Sequence, residues 1–168
     1  MTICLVGSEM CIRDRPTSDI SKNLDIRDKI LSFESTLNSI DNKDIIVVTD
    51  KNSEQLCPLT HKFSDGMYVR EIFIPAGCFV VGKIHKHDHP NFLLSGETIV
   101  VTEEGTQELK GPLSMISKAG TKRALYAKTD LVWVTVHLNP TNTTDLAELE
   151  KEIIAPSYLE YEKFKQLK

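Results

Sequence analysis

Three of the chain's 5 histidines crowd into Gly82-Lys-Ile-His85-Lys-His87-Asp-His89-Pro-Asn91. At that histidine content a His-x-His-x-His arises from composition alone in only about 0.4% of chains of 168 residues. Side chains alternate across a strand, so positions 85, 87 and 89 can share one face. Imidazoles converging from one strand and its neighbour are a natural way to hold a transition metal. A further candidate ligand ends Trp133-Val-Thr-Val-His137, where Trp133, Thr135 and His137 fall on one face and the valines on the other. Two readings stand for each feature. The histidine run closed by Pro90 is either a metal site or a solvated turn, and His137 either enters a ligand pocket or caps its strand.

If His85, His89 and His87 or His137 hold a metal, neutral nitrogen donors suit Fe, Ni, Mn, Zn or Cu. An open coordination position would polarise a substrate oxygen. Lys83, Arg123, Tyr126 and Trp133 are the candidate ligand-binding residues. Lys83 is expected on the strand face of His85, where a cation disfavours a metal but welcomes a carboxylate or phosphate. No acid in the strand region is placed to orient an imidazole, which ranks a metal-free His/Tyr isomerase lowest. Glu97 follows Gly96 directly and is not assigned as a base.

The elements that would carry these side chains are mostly strands. Tyr68–Ile74, Cys78–Val81, Phe92–Leu94, Thr98–Thr102 and Leu131–His137 are strand-like, and Pro75-Ala-Gly77, Gly82, Ser95-Gly96, Glu104-Gly105, Gly111-Pro112 and Ala119-Gly120 punctuate them. Short strands with turn signals about every 8 to 12 residues predict a sandwich or small barrel. Ahead of them, Leu24, Ile26, Ile30, Leu31, Phe33, Leu37 and Ile40 recur at helical spacing, and a short strand is expected over 44–49. Behind them, Asp145 and Glu148 resemble a capping box before Leu146, Leu149 and Ile153, and a further short helix is expected over 158–167. The expected organisation is an N-terminal helix region (16–43), a β-barrel (44–140) and a C-terminal helical tail (141–168).

Composition narrows the function class. The chain has 20 basic and 24 acidic residues and a formal charge of -4, without the basic face that nucleic acid requires. No apolar run approaches the roughly 20 residues of a membrane-spanning helix. Neither nucleic acid nor membrane is therefore an expected partner. Cys4, Cys11, Cys57 and Cys78 show no CxxC spacing, which points to reduced thiols and a cytoplasmic protein.

The stretch Gly82 to Gly96, with Ala119-Gly120-Thr-Lys-Arg123, resembles the two signature motifs of the cupin superfamily. Aligned on Gly96, the second motif histidine falls on His85 and the motif glutamate on His89. Lys83 stands at the first histidine. In the second motif Gly120 matches, while Lys118 stands at the proline and Arg123 at the final histidine. The resemblance implies a single antiparallel jelly-roll barrel, mainly β, that binds a divalent metal through inward-facing ligands. Here His87 and His137 would supply what Lys83 and Arg123 do not.

Cys57-Pro-Leu-Thr-His61, Arg70–Gly77, Val81–His87, Ala119–Arg123, Val132-Trp133 and Ile154–Tyr158 are similar to small cupin-like proteins of tailed phages and prophages. That likeness implies the cytoplasm of a host cell. Residues 1–15 contain VGSEMCIRDR, which resembles a translated sequencing adapter of metagenomic assemblies and is expected to be a non-native leader. The expected function is a metal cupin that binds or transforms a small anionic molecule. The alternative is a metal-free, non-catalytic phage-associated module with the same barrel. The N-terminal helix and strand 44–49 are expected to cover a sheet edge or build a homodimer.

Overall fold

Hydrophobic alternation builds two facing sheets. In a computed structural model, residues 17–39, 46–48 and 52–167 are described; the 1–15 leader, Cys4 and Cys11 lie outside them. The elements in chain order are α1 (Thr17–Ser39), β1 (Ile46–Val48), α2 (Ser53–Leu56), β2 (Leu59–Ser64), β3 (Met67–Ile74), β4 (Cys78–Val81), β5 (Ile84–His85), β6 (His89–Ser95), β7 (Glu97–Thr102) and β8 (Gly105–Lys110). There follow β9 (Leu113–Ser117), β10 (Ala124–Ala127), β11 (Leu131–Leu138), α3 (Leu146–Ile153), β12 (Ile154–Ala155) and α4 (Tyr158–Gln166). The protein is mainly β, with α1 ahead of the strands, the single-turn α2 between β1 and β2, and α3 and α4 after β11. One sheet runs β1-β4-β10-β7-β8 and the other β2-β3-β11-β6-β9. Every pairing in them is antiparallel except β1 with β4, which is parallel. The short strand expected over 44–49 therefore covers the β4 edge within the chain, in the opposite sense to an antiparallel barrel strand.

The inward faces follow a period of two. Cys78 and Val80 of β4, Val100 of β7 and Leu125 of β10 meet Ile72 and Ile74 of β3, Leu93 of β6, and Leu131 and Trp133 of β11. Cys57 and Cys78 are buried free thiols, and burial pushes both above the ordinary thiol range. The outward face of the first sheet is covered by α1. Phe33 meets Phe79 edge-on at 6.1 Å, Phe79 packs on Tyr126 at 4.7 Å, and Ile30 and Leu37 are buried. Arg27 anchors the helix at its other end, with Nε 2.8 Å from Glu103 Oε1 and its guanidinium 4.4 Å from the Tyr158 ring centre.

Gly96 forms the single-residue link between β6 and β7 and carries the chain from one sheet to the other. Its φ is +94°, and a Cβ there would sit 2.2 Å from the Asp130 carbonyl oxygen and 2.6 Å from Leu131 Cδ2. Only glycine fits both the backbone conformation and the space.

The C-terminal tail closes one end of the sandwich. The Asp145 carboxylate caps α3 by accepting from the Ala147 and Glu148 N–H groups, and Leu149 and Ile153 pack on Tyr68. Then β12 pairs with β5, setting Ile154 opposite His85. The next helix, α4, lays Tyr161 against Ile84 and Ala155. Among the described residues, no helix is long and apolar enough to cross a membrane.

Candidate metal and ligand site

Register places a polar layer at this closed end of the second sheet. His61, Arg70, Thr135 and Asn91 pair in turn across β2, β3, β11 and β6. One step further along the strands, Phe63 pairs with Tyr68, Tyr68 with His137, and His89 with Ser117. The apolar core occupies the remainder of the sandwich, so the polar groups are concentrated at one end.

Three histidines converge in this layer. His137 comes from β11 and His89 from the start of β6, and both are buried at 6% and 4% exposure. His85 reaches them from β5. Ring centres lie 4.2 Å apart for His85 and His89, 4.6 Å for His89 and His137, and 5.0 Å for His85 and His137. One ligand nitrogen from each falls within 4.8 Å of the others.

The path that brings them together differs from the expected one. The run His85 to His89 is not one strand: β5 ends at His85, the chain bends over 86–88, and β6 begins at His89. Hydrogen bonds from Lys86 N–H to the Ile153 carbonyl and from Gly120 N–H to the His85 carbonyl, both 2.8 Å, hold the bend. His87 rides on it and points its ring at Phe164, with centres 5.3 Å apart. It is not among the converging three.

Hydrogen bonds fix the rings. His89 Nδ1 lies 3.1 Å from the His87 carbonyl oxygen. A carbonyl only accepts, so Nδ1 carries the proton and Nε2 keeps the lone pair. That Nε2 faces His85 Nδ1 at 2.8 Å. His137 Nε2 is 3.1 Å from Thr135 Oγ1.

Burial, followed by repulsion from His89, His137, Arg70 and Arg123, pushes His85 down to about 2. Burial first, then His89, Arg70 and His87, pushes His137 down to about 3. Burial also holds His89 below its ordinary value, against a raising bond from the His87 carbonyl. All three are neutral at pH 7 and keep their lone pairs for a ligand.

Asn91, 1% exposed, is the hub beside them. Its Oδ1 accepts from Trp133 Nε1 at 2.9 Å and its Nδ2 donates to Ser117 Oγ at 2.6 Å. Arg123 donates to Ser117 Oγ and lies 3.5 Å from Asn91 Oδ1. Its guanidinium carbon stands 5.8 Å from the Trp133 ring centre. On the other flank, the Tyr68 hydroxyl lies 2.7 Å from His61 Nδ1, and its ring stacks on His137 at 6.0 Å.

Of the residues expected beside the histidines, Arg123 and Trp133 are there. Lys83 is not in a strand; its half-exposed ammonium is ion-paired with Glu150 of α3. Tyr126 takes the face opposite to the core-facing Leu125 and lies under α1. Sequence reasoning missed Arg70, Asn91 and Tyr68, and it set Thr135 on the face of Trp133 and His137 without giving it a role. Arg70 alternates with Tyr68 and Ile72 on β3, so the period of two that placed those apolar residues inward also placed Arg70 there.

No family model matches the chain, and no curated protein matches it. Among solved structures it is similar to ectoine synthase from P. lautus, at 19% identity and a TM-score of 0.48, over 67% of this chain and 79% of that one. It is also similar to a cupin domain from Bordetella pertussis at 20% identity and a TM-score of 0.40, over 49% and 93% of the two chains. A cupin superfamily protein from Desulfitobacterium hafniense is similar at 15% identity and a TM-score of 0.40, over 48% and 76%.

Proposed function

We propose that this chain is a small jelly-roll protein of the cupin type that holds one divalent transition metal through His85, His89 and His137. At that centre it binds or transforms a small molecule. The strand orders support the jelly-roll reading: β3-β11-β6-β9 faces β4-β10-β7-β8, with β2 and β1 added at the edges.

The observation that carries the metal reading is three neutral imidazoles converging from three strands. Metal-to-nitrogen bonds are about 2.0–2.1 Å, which puts the nitrogens of two ligands roughly 2.9–3.4 Å apart. His85 Nδ1 and the lone-pair nitrogen of His89, Nε2, already face each other at 2.8 Å, close to that separation, so the donor set fits a small ion. Fe, Ni, Mn, Zn and Cu all accept imidazole. When bound, such an ion supplies Lewis acidity toward a ligand oxygen. The chain's own groups supply the rest: the His87 carbonyl and Thr135 orient two of the rings, Tyr68 walls the site, and α3 with β12 limits the entry of water.

A second reading has an observation of its own. Among the described residues no carboxylate joins the three histidines, and Arg70 and Arg123 act on them as cations. Both facts oppose a cation and suit a metal-free binding module, phage-associated as the sequence resemblance implies. In either reading we place the protein in the cytoplasm, as a homodimer.

Metal content of the purified, untagged protein decides between them. Elemental mass spectrometry of the wild type and of a His85→Ala, His89→Ala variant, with folding checked by Trp133 emission, is the measurement. About one equivalent of metal, lost in the variant, supports the metal centre. A metal-free wild type that also refuses added Fe, Ni, Mn, Zn and Cu overturns it.

A further inference from the structure

We propose that the site takes a small dicarboxylic acid, one carboxylate on Arg70 and the other on Arg123, with the three histidines between them. This rests on the reading of the histidine centre as a small-molecule site. It is independent of whether a metal is bound.

The two arginines flank the centre. Arg70 stands on β3, paired with His61 on one side and Thr135 on the other. Arg123 is fastened over β6 and β9 through Asn91 and Ser117. The strand β11, with His137, runs between them. Neighbouring strands are about 4.8 Å apart, so the backbone of Arg70 and that of Asn91, which holds Arg123, are on the order of 10 Å apart across β11.

Both charges lack a compensating acid at contact distance. Among the described residues, no carboxylate or carbonyl accepts a hydrogen bond from the Arg70 guanidinium, and Arg123 reaches only the neutral Asn91 and Ser117. Glu150 and Glu104 act on Arg70 and Arg123 from a distance, and Glu150 is ion-paired with Lys83. Burial holds both guanidinium groups below their ordinary pKa. Proteins pair buried charges, and Arg favours planar, two-pronged contact with a carboxylate. Two withdrawn guanidinium groups beside neutral imidazoles form a site completed by two negative groups.

Isothermal titration of malonate, succinate, glutarate and adipate into metal-free and zinc-loaded protein tests this, with butyrate, succinamide and inorganic phosphate as comparisons. The expected result is a dissociation constant below about 1 mM for at least one diacid, in metal-free protein, with butyrate at least about tenfold weaker and succinamide not bound. Arg70→Gln and Arg123→Gln should each weaken that diacid by about 10- to 100-fold while leaving zinc content as in the wild type. Where either variant fails to fold, Arg→Lys at the same position, which keeps the charge and loses the fork, carries the test with the same expected loss. Absence of binding by every diacid, no preference over butyrate, tighter binding of phosphate than of any diacid, or unchanged affinity in the variants overturns the proposal. Zinc bound normally in that case leaves the metal centre standing, and diacid binding without zinc uptake leaves this proposal standing alone.

Discussion

Acid should unfold the metal-free protein before its carboxylates begin to take up protons. His85 and His137 fall to about 2 and about 3 in the folded chain, against about 6.5 when unfolded. Both folded values are depressed, so the unfolded state binds the extra protons. Stability is therefore complete above pH 6.5 and is lost as pH falls below it. Each group contributes at most about 1.4 kcal/mol per pH unit, so the pair removes on the order of 2–4 kcal/mol between pH 6.5 and 5. His89 shifts in the same direction and adds to the loss. Domains are stable by only about 5–15 kcal/mol, so this is a large share. His61, held below its ordinary value by burial, adds to the loss in the same window, while Asp88 and Glu97 are held below their ordinary carboxylate values and contribute only at lower pH. Urea unfolding at pH 7, 6 and 5, followed by emission of the single tryptophan, reads the loss directly. A midpoint unchanged between pH 7 and 5 would refute the buried neutral cluster, as would an equal loss in a His85→Gln, His137→Gln variant.

Gly96→Ala should destabilise the fold by about 2–4 kcal/mol, since the new Cβ meets the Asp130 carbonyl at 2.2 Å in a conformation that L residues avoid. A melting temperature within a degree of the wild type would contradict that geometry. Asn91→Ala strips partners from Trp133 and Ser117 at once and should cost about 2–4 kcal/mol. It should also weaken metal uptake by about 10- to 100-fold, as measured by competition with a chromogenic chelator; undiminished uptake would remove Asn91 from the support of the site.

Much of the sandwich is readable in the sequence where alternation is strong. The Tyr68–Ile74, Cys78–Val81 and Leu131–His137 segments put Ile72 and Ile74, Cys78 and Val80, and Leu131 and Trp133 inward at alternate positions, and each lies within or coincides with an observed strand. The misses have a physical cause. Leu59–Ser64 and Gly105–Lys110 are edge strands with mostly exposed side chains, so neither has a buried face to impose a period. The histidine run is visible by spacing, yet its geometry is not: the bend over 86–88 depends on backbone partners at Ile153 and Gly120, both remote in sequence. Lys83 faces outward for the same reason, because the strand that alternation assumed does not extend back to it. Arg70 was within reach, since the alternation that puts Tyr68 and Ile72 inward includes it, but a lone arginine in a strand carries no motif.

The pairing of β12 with β5 has a consequence for biosynthesis. His85 leaves the ribosome roughly 70 residues before Ile154, its partner across that ladder, an interval of several seconds at about 5–20 residues per second. His137 itself emerges 17 residues before Ile154, so His89 and His137 can occupy adjacent strands only in the last part of that interval, while the segment carrying His85 still has no sheet neighbour. The third imidazole is therefore locked in place only after Ile154 has been made. A nascent polypeptide, or one clipped ahead of β12, would present an incomplete histidine set, so any loading of the proposed centre would be a late event tied to the β12 segment.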